Sequence, residues 1–210
     1  QELKQRIKSH YAAQNRAVTK QDYESLCYNM PSKFGSIVRA NIINNPSIDR
    51  RMMLYIVSTD SDGILSNTST IVKNNLRNWL THYKMLNDQI QIFDPKIVNF
   101  KMDFDITIQN TSEADDVLFR TKGILEDYFS EKFYIGEPLY ITKIYEVINA
   151  VDGVIATNKV NIRGTTEGNY TSNYMNFDEA LSRDGTYIKT PKNVILELRY
   201  PNLDIKGTVK

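Results

Sequence analysis

The chain has 210 residues, a net charge of +1 from 26 basic and 25 acidic side chains, and an apolar share of 41%. That length suits one large domain or two small ones and buries about 70% of the unfolded surface, so a core needs neither metal nor disulfide staples. The even charge argues against nucleic acid or an anionic membrane as main partner, and no apolar run approaches the about 18 residues of a membrane span.

Residues 3–14 read as a polar, basic helix with a thin stripe of Leu3, Ile7 and Tyr11. With Gln1 in place of Met, the chain reads as part of a longer protein, and residues 1–16 as the end of an upstream helix. Thr19 opens a second helix: Thr19-x-x-Asp22 has the form of a capping box, with Asp in place of the usual Glu. Tyr23, Leu26, Cys27 and Met30 form its inner stripe, and Pro31 stops it. Segments 37–43 and 52–58 read as strands joined by Asn44-Asn45-Pro46-Ser47. Thr68 or Ser69 caps a third helix whose Val72, Leu76, Trp79, Leu80 and Tyr83 share one face. Residues 17–88 are thus expected as an α-β-β-α domain, with a boundary at Asn87-Asp88-Gln89.

The second domain, 89–210, opens on near-strict alternation. Val98, Phe100, Met102, Phe104, Ile106 and Ile108 point one way; Asn99, Lys101, Asp103, Asp105 and Thr107 point the other. That is a long strand with one buried and one wet face. Ser112 is the expected cap of the next helix, with Glu113, Asp115 and Asp116 in the first turn and Val117, Leu118, Thr121, Ile124, Leu125, Tyr128 and Phe129 facing the core. Residues 141–151 read as a shorter helix carrying Ile144, Val147, Ile148 and Val151, and 153–162 as a returning strand. Residues 164–177 are polar and lack periodicity, so they read as an extended exposed loop; 194–200 is expected as the last strand, stopped by Pro201. The fold class is α+β: two small mixed-sheet domains with packed helices.

Chemistry-bearing patterns are sparse. The nine Gly form neither G-x-G-x-x-G nor G-x-x-x-x-G-K, and there is no G-x-S-x-G. His10 and His82 lack a second ligand at metal spacing. Cys27, the only cysteine, excludes an internal disulfide, fits a reducing compartment and reads as a small buried hydrophobe. Asp60-Ser61-Asp62-Gly63 lacks the further ligands of a calcium loop and reads as a turn. Asp103 and Asp105 place two carboxylates on the wet face of the long strand. A glycosidase-like pair is geometrically allowed there, although no neighbouring feature raises either pKa. Among the thirteen Tyr, Tyr170 and Tyr174 lie in the loop after Gly164, off any core stripe. With Phe177, Tyr187, Arg50 and Arg51 they are the candidate partner-contact residues, because aromatic and Arg side chains supply much of the binding energy at interfaces. No cofactor or small-molecule substrate is expected.

Arg16-Ala17-Val18-Thr19-Lys20-Gln21-Asp22-Tyr23-Glu24-Ser25-Leu26 resembles the AVT-x-x-D-Y-E-x-L signature of baseplate J-like proteins. Further family motifs follow in the family's order: Pro95-Lys96-Ile97-Val98-Asn99-Phe100, Tyr128-Phe129, Gly136-Glu137-Pro138-Leu139-Tyr140-Ile141-Thr142-Lys143-Ile144 and Val151-Asp152-Gly153-Val154. The resemblance spans about residues 16–163, and the Asn- and Tyr-rich composition is similar to that of the T4-type inner-ring wedge subunits. It does not extend past Gly164. It implies a structural virion protein that dimerises, helps build a ring around the central hub of a contractile tail baseplate, and contacts other wedge proteins. The ring changes diameter on contraction, and the region has no catalytic site. The alternatives are a carboxylate-dependent glycan-degrading tail enzyme and an adaptor of a related contractile injection system.

Overall fold

The computed structural model describes residues 16–44, 51–110 and 113–210. The expected 3–14 helix, most of the turn after Asn44, Arg50 and the expected Ser112 cap lie outside the described residues. The architecture is α+β, and the chain divides into two compact units between Pro95 and Lys96.

The first unit contains helix Lys20–Tyr28, strands β1 (Arg39–Asn44), β2 (Arg51–Thr59) and β3 (Leu65–Asn67), helix Thr70–Thr81 and strand β4 (Gln89–Phe93). Strand β2 is the hub: it runs antiparallel to β1 and β3 and parallel to β4. The expected α-β-β-α order therefore gains two strands. Strand β4 falls where a domain boundary was expected, and it pairs with residues 51–55 of β2.

The capping box forms as the sequence implies. Asp22 N–H donates to the Thr19 hydroxyl at 3.2 Å, and Thr19 N–H donates to the Asp22 carboxylate at 2.8 Å, satisfying two helix-end donors reciprocally. Helix Thr70–Thr81 is capped by Ser69, and its Leu76 and Leu80 are buried with Tyr23, Cys27, Leu54 and Ile56. The first helix also closes the free edge of β1. Ala40 N–H donates to the Tyr28 hydroxyl at 2.9 Å, and Ile42 N–H donates to the Glu24 carboxylate at 3.1 Å. These two amides alternate along β1, so side chains of the helix stand in for a missing strand.

The second unit is organised on β5 (Lys96–Ile108). The other strands are β6 (Leu139–Tyr140), β7 (Val154–Gly164), β8 (Tyr187–Ile188), β9 (Val194–Glu197) and β10 (Ile205–Val209). Strand β5 pairs antiparallel with β7 and parallel with β9 and β10, and β6 pairs with β8. The apolar face runs Val98, Phe100, Met102, Phe104, Ile106 and Ile108, all buried. Helix Ala114–Ser130 covers it with Val117, Thr121, Leu125 and Phe129, and helix Ile141–Asn149 with Ile144 and Ile148. Ile124, expected on the core face, is 42% exposed, because the stripe is narrower than an i, i+3, i+4 count allows. Phe100 sits in an aromatic group with Phe129 (5.8 Å), Phe133 (6.1 Å) and Phe177 (6.2 Å) between ring centroids.

Three expectations need correction. Strand β9 is not the last: Pro201 starts the short helix Pro201–Asp204, where a missing N–H costs nothing, and β10 follows. The wet face of β5 is not wet throughout, since Asn99 and Ile97 are buried. The 165–177 segment is not a free loop. Thr171 Oγ1 and Asn173 Nδ2 donate to the Ile97 carbonyl at 2.6 and 3.1 Å, and Thr171 N–H donates to Asn99 Oδ1 at 2.8 Å.

Two glycines are dictated by their surroundings. Gly153, in the Val-x-Gly-Val motif, has φ +96°, and a Cβ there would stand 2.9 Å from Val117 Cγ2. A Cβ on Gly207 would run into the Phe104 ring and Leu118 Cδ2. Phe104→Ala should therefore lower stability by about 3–5 kcal/mol, whereas Phe119→Ala, at a side chain 78% exposed, should stay within about 0.5 kcal/mol. Urea unfolding of both variants checks this contrast.

Candidate functional site

The six residues expected to meet a partner separate into three groups. Tyr174, 70% exposed, and Tyr187, half-buried and 5.9 Å from the Tyr140 ring, face outward. Arg51 begins β2, where its guanidinium donates to Gln89 Oε1 at 3.3 Å; Arg50 lies outside the described residues.

Phe177 is corrected outright: it is 5% exposed and packed in the aromatic group on Phe100, so it serves the core. Tyr170 is also turned inward. Its hydroxyl donates to Asp204 Oδ1 at 2.5 Å, its ring meets Tyr200 edge-on at 5.6 Å, and Lys101 Nζ lies 4.7 Å from its centroid. The Asp204 carboxylate is fully buried and also accepts from Tyr200 N–H at 2.9 Å, with Lys101 Nζ 4.0 Å away. Burial, then the bond to Asp204, push the Tyr170 phenol well above its ordinary range. A second buried carboxylate, Glu197, accepts from Asn99 Nδ2 at 2.9 Å, with Lys132 Nζ 3.8 Å away. The first site joins the chain after β7 to β5 and to the short helix Pro201–Asp204, the second joins β9 to β5, and both keep buried charge partnered.

The carboxylate pair does not form an acid–base site. Asp103 is held by Arg163, and Asp105 by the Thr208 hydroxyl and by Lys210 at 3.4 Å. The Thr208 bond, aided by Lys210, keeps the Asp105 carboxyl below its usual range, opposite to what a general acid requires. Cys27 is buried, and burial pushes its thiol up to about 12. Asp60 closes its own turn, accepting from Asp62 N–H at 3.0 Å and Ile64 N–H at 2.9 Å. Among the described residues no cluster of three His, Cys, Asp or Glu is placed to hold a metal, and no helix is long and apolar enough to cross a membrane.

One surface the residue types did not flag is the outer edge of β4. Its signal was present as period-two alternation in Gln89-Ile90-Gln91-Ile92-Phe93, a run too short to stand out beside β5.

No protein-family model matches the chain, and no curated protein matches it in sequence. Among solved structures it is similar to a chain of the anti-feeding prophage baseplate, determined by electron cryo-microscopy with six-fold symmetry imposed. The TM-score is 0.58 at 13% identity, over 92% of this chain and 40% of that chain. At that identity the likeness is one of fold, and this chain spans less than half of its neighbour.

The bond between Tyr170 and Asp204 yields a pH signature. A phenol that keeps its proton longer in the folded than in the unfolded state stabilises the fold fully below the unfolded pKa, 10.0, and the contribution is lost as pH rises toward the folded value. Tyr170→Phe should cost about 1–3 kcal/mol at pH 7, from the partner it takes from buried Asp204. It should also flatten the fall in stability above pH 10. Urea unfolding of both proteins across that range is the check.

Proposed function

We propose that this chain is a structural part of the baseplate of a contractile tail, a baseplate J-like wedge component working through protein contacts and not through catalysis. The observation that carries this reading is the fold match to a baseplate chain over 92% of the sequence. The ordered motifs support it independently, and several have clear structural work. Thr19 and Asp22 cap the first helix, Glu24 covers a β1 amide, and Gly153 provides the backbone turn that leads into β7. The Tyr128–Phe129 pair packs against the β5 core.

On this reading the chain belongs to the virion tail, is assembled in the host cytoplasm, pairs as a homodimer, and joins other wedge proteins in a ring around the hub. Tyr174, Tyr187 and Arg51 are the retained candidates for those contacts. An equivalent place in a related injection machine is the second reading, favoured by the anti-feeding prophage origin of the structural neighbour.

Deletion of the gene segment encoding this chain should yield particles arrested before baseplate completion, with complementation restoring them. Light scattering on the purified chain should give the mass of a dimer, twice 24.3 kDa. Complete baseplates assembled without the chain would overturn the structural role. A monomer at high micromolar concentration would remove the homodimer alone.

A further inference from the structure

We propose that the outer edge of β4, with the groove beside it, is a docking site for an extended segment of a partner protein that carries acidic residues and adds as a further strand. The two outer edges of the first sheet are treated differently. On β1 the outward amides of Ala40 and Ile42 are taken by Tyr28 and Glu24. On β4 no described strand pairs with the side away from β2. The five residues from Gln89 to Phe93 hold no charge and no Pro, and their register with β2 has no bulge. Those are the devices that usually keep an edge strand from pairing. The closing signal comes immediately afterwards, at Asp94-Pro95.

The edge has a built flank. Ile90 and Ile92 point to the helix side of the sheet yet remain half-buried, because the sheet stops before helix Thr70–Thr81 is fully covered. The gap is a groove of about 300 Å³ whose lining includes Arg77, Leu80, Lys84, Ile90, Gln91 and Ile92. A strand laid along β4 would send alternate side chains into this groove, which suits small apolar residues against Leu80, Ile90 and Ile92.

Charge selects the occupant. The groove lining has two cations and no carboxylate. The Arg77 guanidinium donates to Asn74 in its own helix at 2.9 Å, and the Lys84 ammonium to the Asp88 carbonyl at 3.2 Å. Among the described residues neither is paired with a carboxylate. The two nearby acids are already used: Asp88 accepts from the Tyr23 hydroxyl at 2.6 Å, and Asp94 holds Lys73 at 2.5 Å and the Thr68 amide at 3.1 Å. An incoming strand with Asp or Glu beside its apolar positions would meet Arg77 and Lys84. This inference does not rest on a baseplate role.

The test titrates the full 210-residue chain with a synthetic nonapeptide of alternating Thr and Val flanked by Glu. Backbone amide shifts and hydrogen exchange provide the readout. Expected are saturable binding, exchange protection along β4, and loss of binding when alternate peptide amides are N-methylated. A Lys-flanked peptide should bind about ten-fold more weakly, and Arg77→Glu with Lys84→Glu should reverse that preference, with circular dichroism verifying the fold. No saturation at millimolar peptide, equal binding of both peptides, or indifference to N-methylation would overturn the site. So would β4 protection that appears with dimerisation of the chain alone, since a second copy would then be the occupant.

Discussion

Everything in the second unit depends on the pairing of β5. All thirteen positions have a strand partner: β9 serves Lys96 to Asn99, β7 serves Phe100 to Ile108, and β10 adds a second ladder from Met102 to Ile106. A strand paired so completely must bury its apolar face in one register, because a one-residue slip would turn Phe100, Met102 and Phe104 to solvent. The two helices on that face, the aromatic group around Phe100 and the close approach of Gly207 to Phe104 all follow from this register. Strand β7 meets the demand by local irregularity, with register shifts at Asp105/Ile106 and Thr107/Ile108. Beside them the exposed Asn158 donates to Thr107 Oγ1 at 2.9 Å.

The sequence made that strand legible because period two held over many residues, and the helices because caps and apolar stripes agreed with one another. Thr19, Asp22, Ser69, Leu76, Val117 and Ile144 are local signals, each read within a few residues of its partner. Strands β3, β4 and β10 escaped because they are short and their meaning is non-local: β10 is recognisable only beside β5, which lies about a hundred residues earlier. The 165–177 segment misled for a related reason. Its polar residues looked solvent-facing, yet Tyr170, Thr171 and Asn173 spend their hydrogen bonds on Asp204 and on the backbone of β5. Phe177 looked like a surface aromatic because its core partners are also distant in sequence.

The candidate chemistry resolved in one direction. Asp103 is held by Arg163, the Thr208 hydroxyl and Lys210 favour the ionised form of Asp105, the Asp60 carboxylate is committed to its own turn, and the Cys27 thiol is shut in. Two buried carboxylates are paired in ways that fix chain segments in place: Glu197 with Asn99, Asp204 with Tyr170. Such a molecule uses its polar residues to hold shape, while Tyr174 is exposed and, among the described residues, no strand covers the outer edge of β4.

The measurement that bears most directly on a structural baseplate role is an electron cryo-microscopy map of the assembled particle at side-chain resolution. A baseplate role predicts that the β5 sheet and its two helices fit density in the ring around the hub, with a copy number that is a multiple of six, as in the six-fold neighbour. A complete baseplate map with every density assigned to other chains and no place for this fold would contradict it.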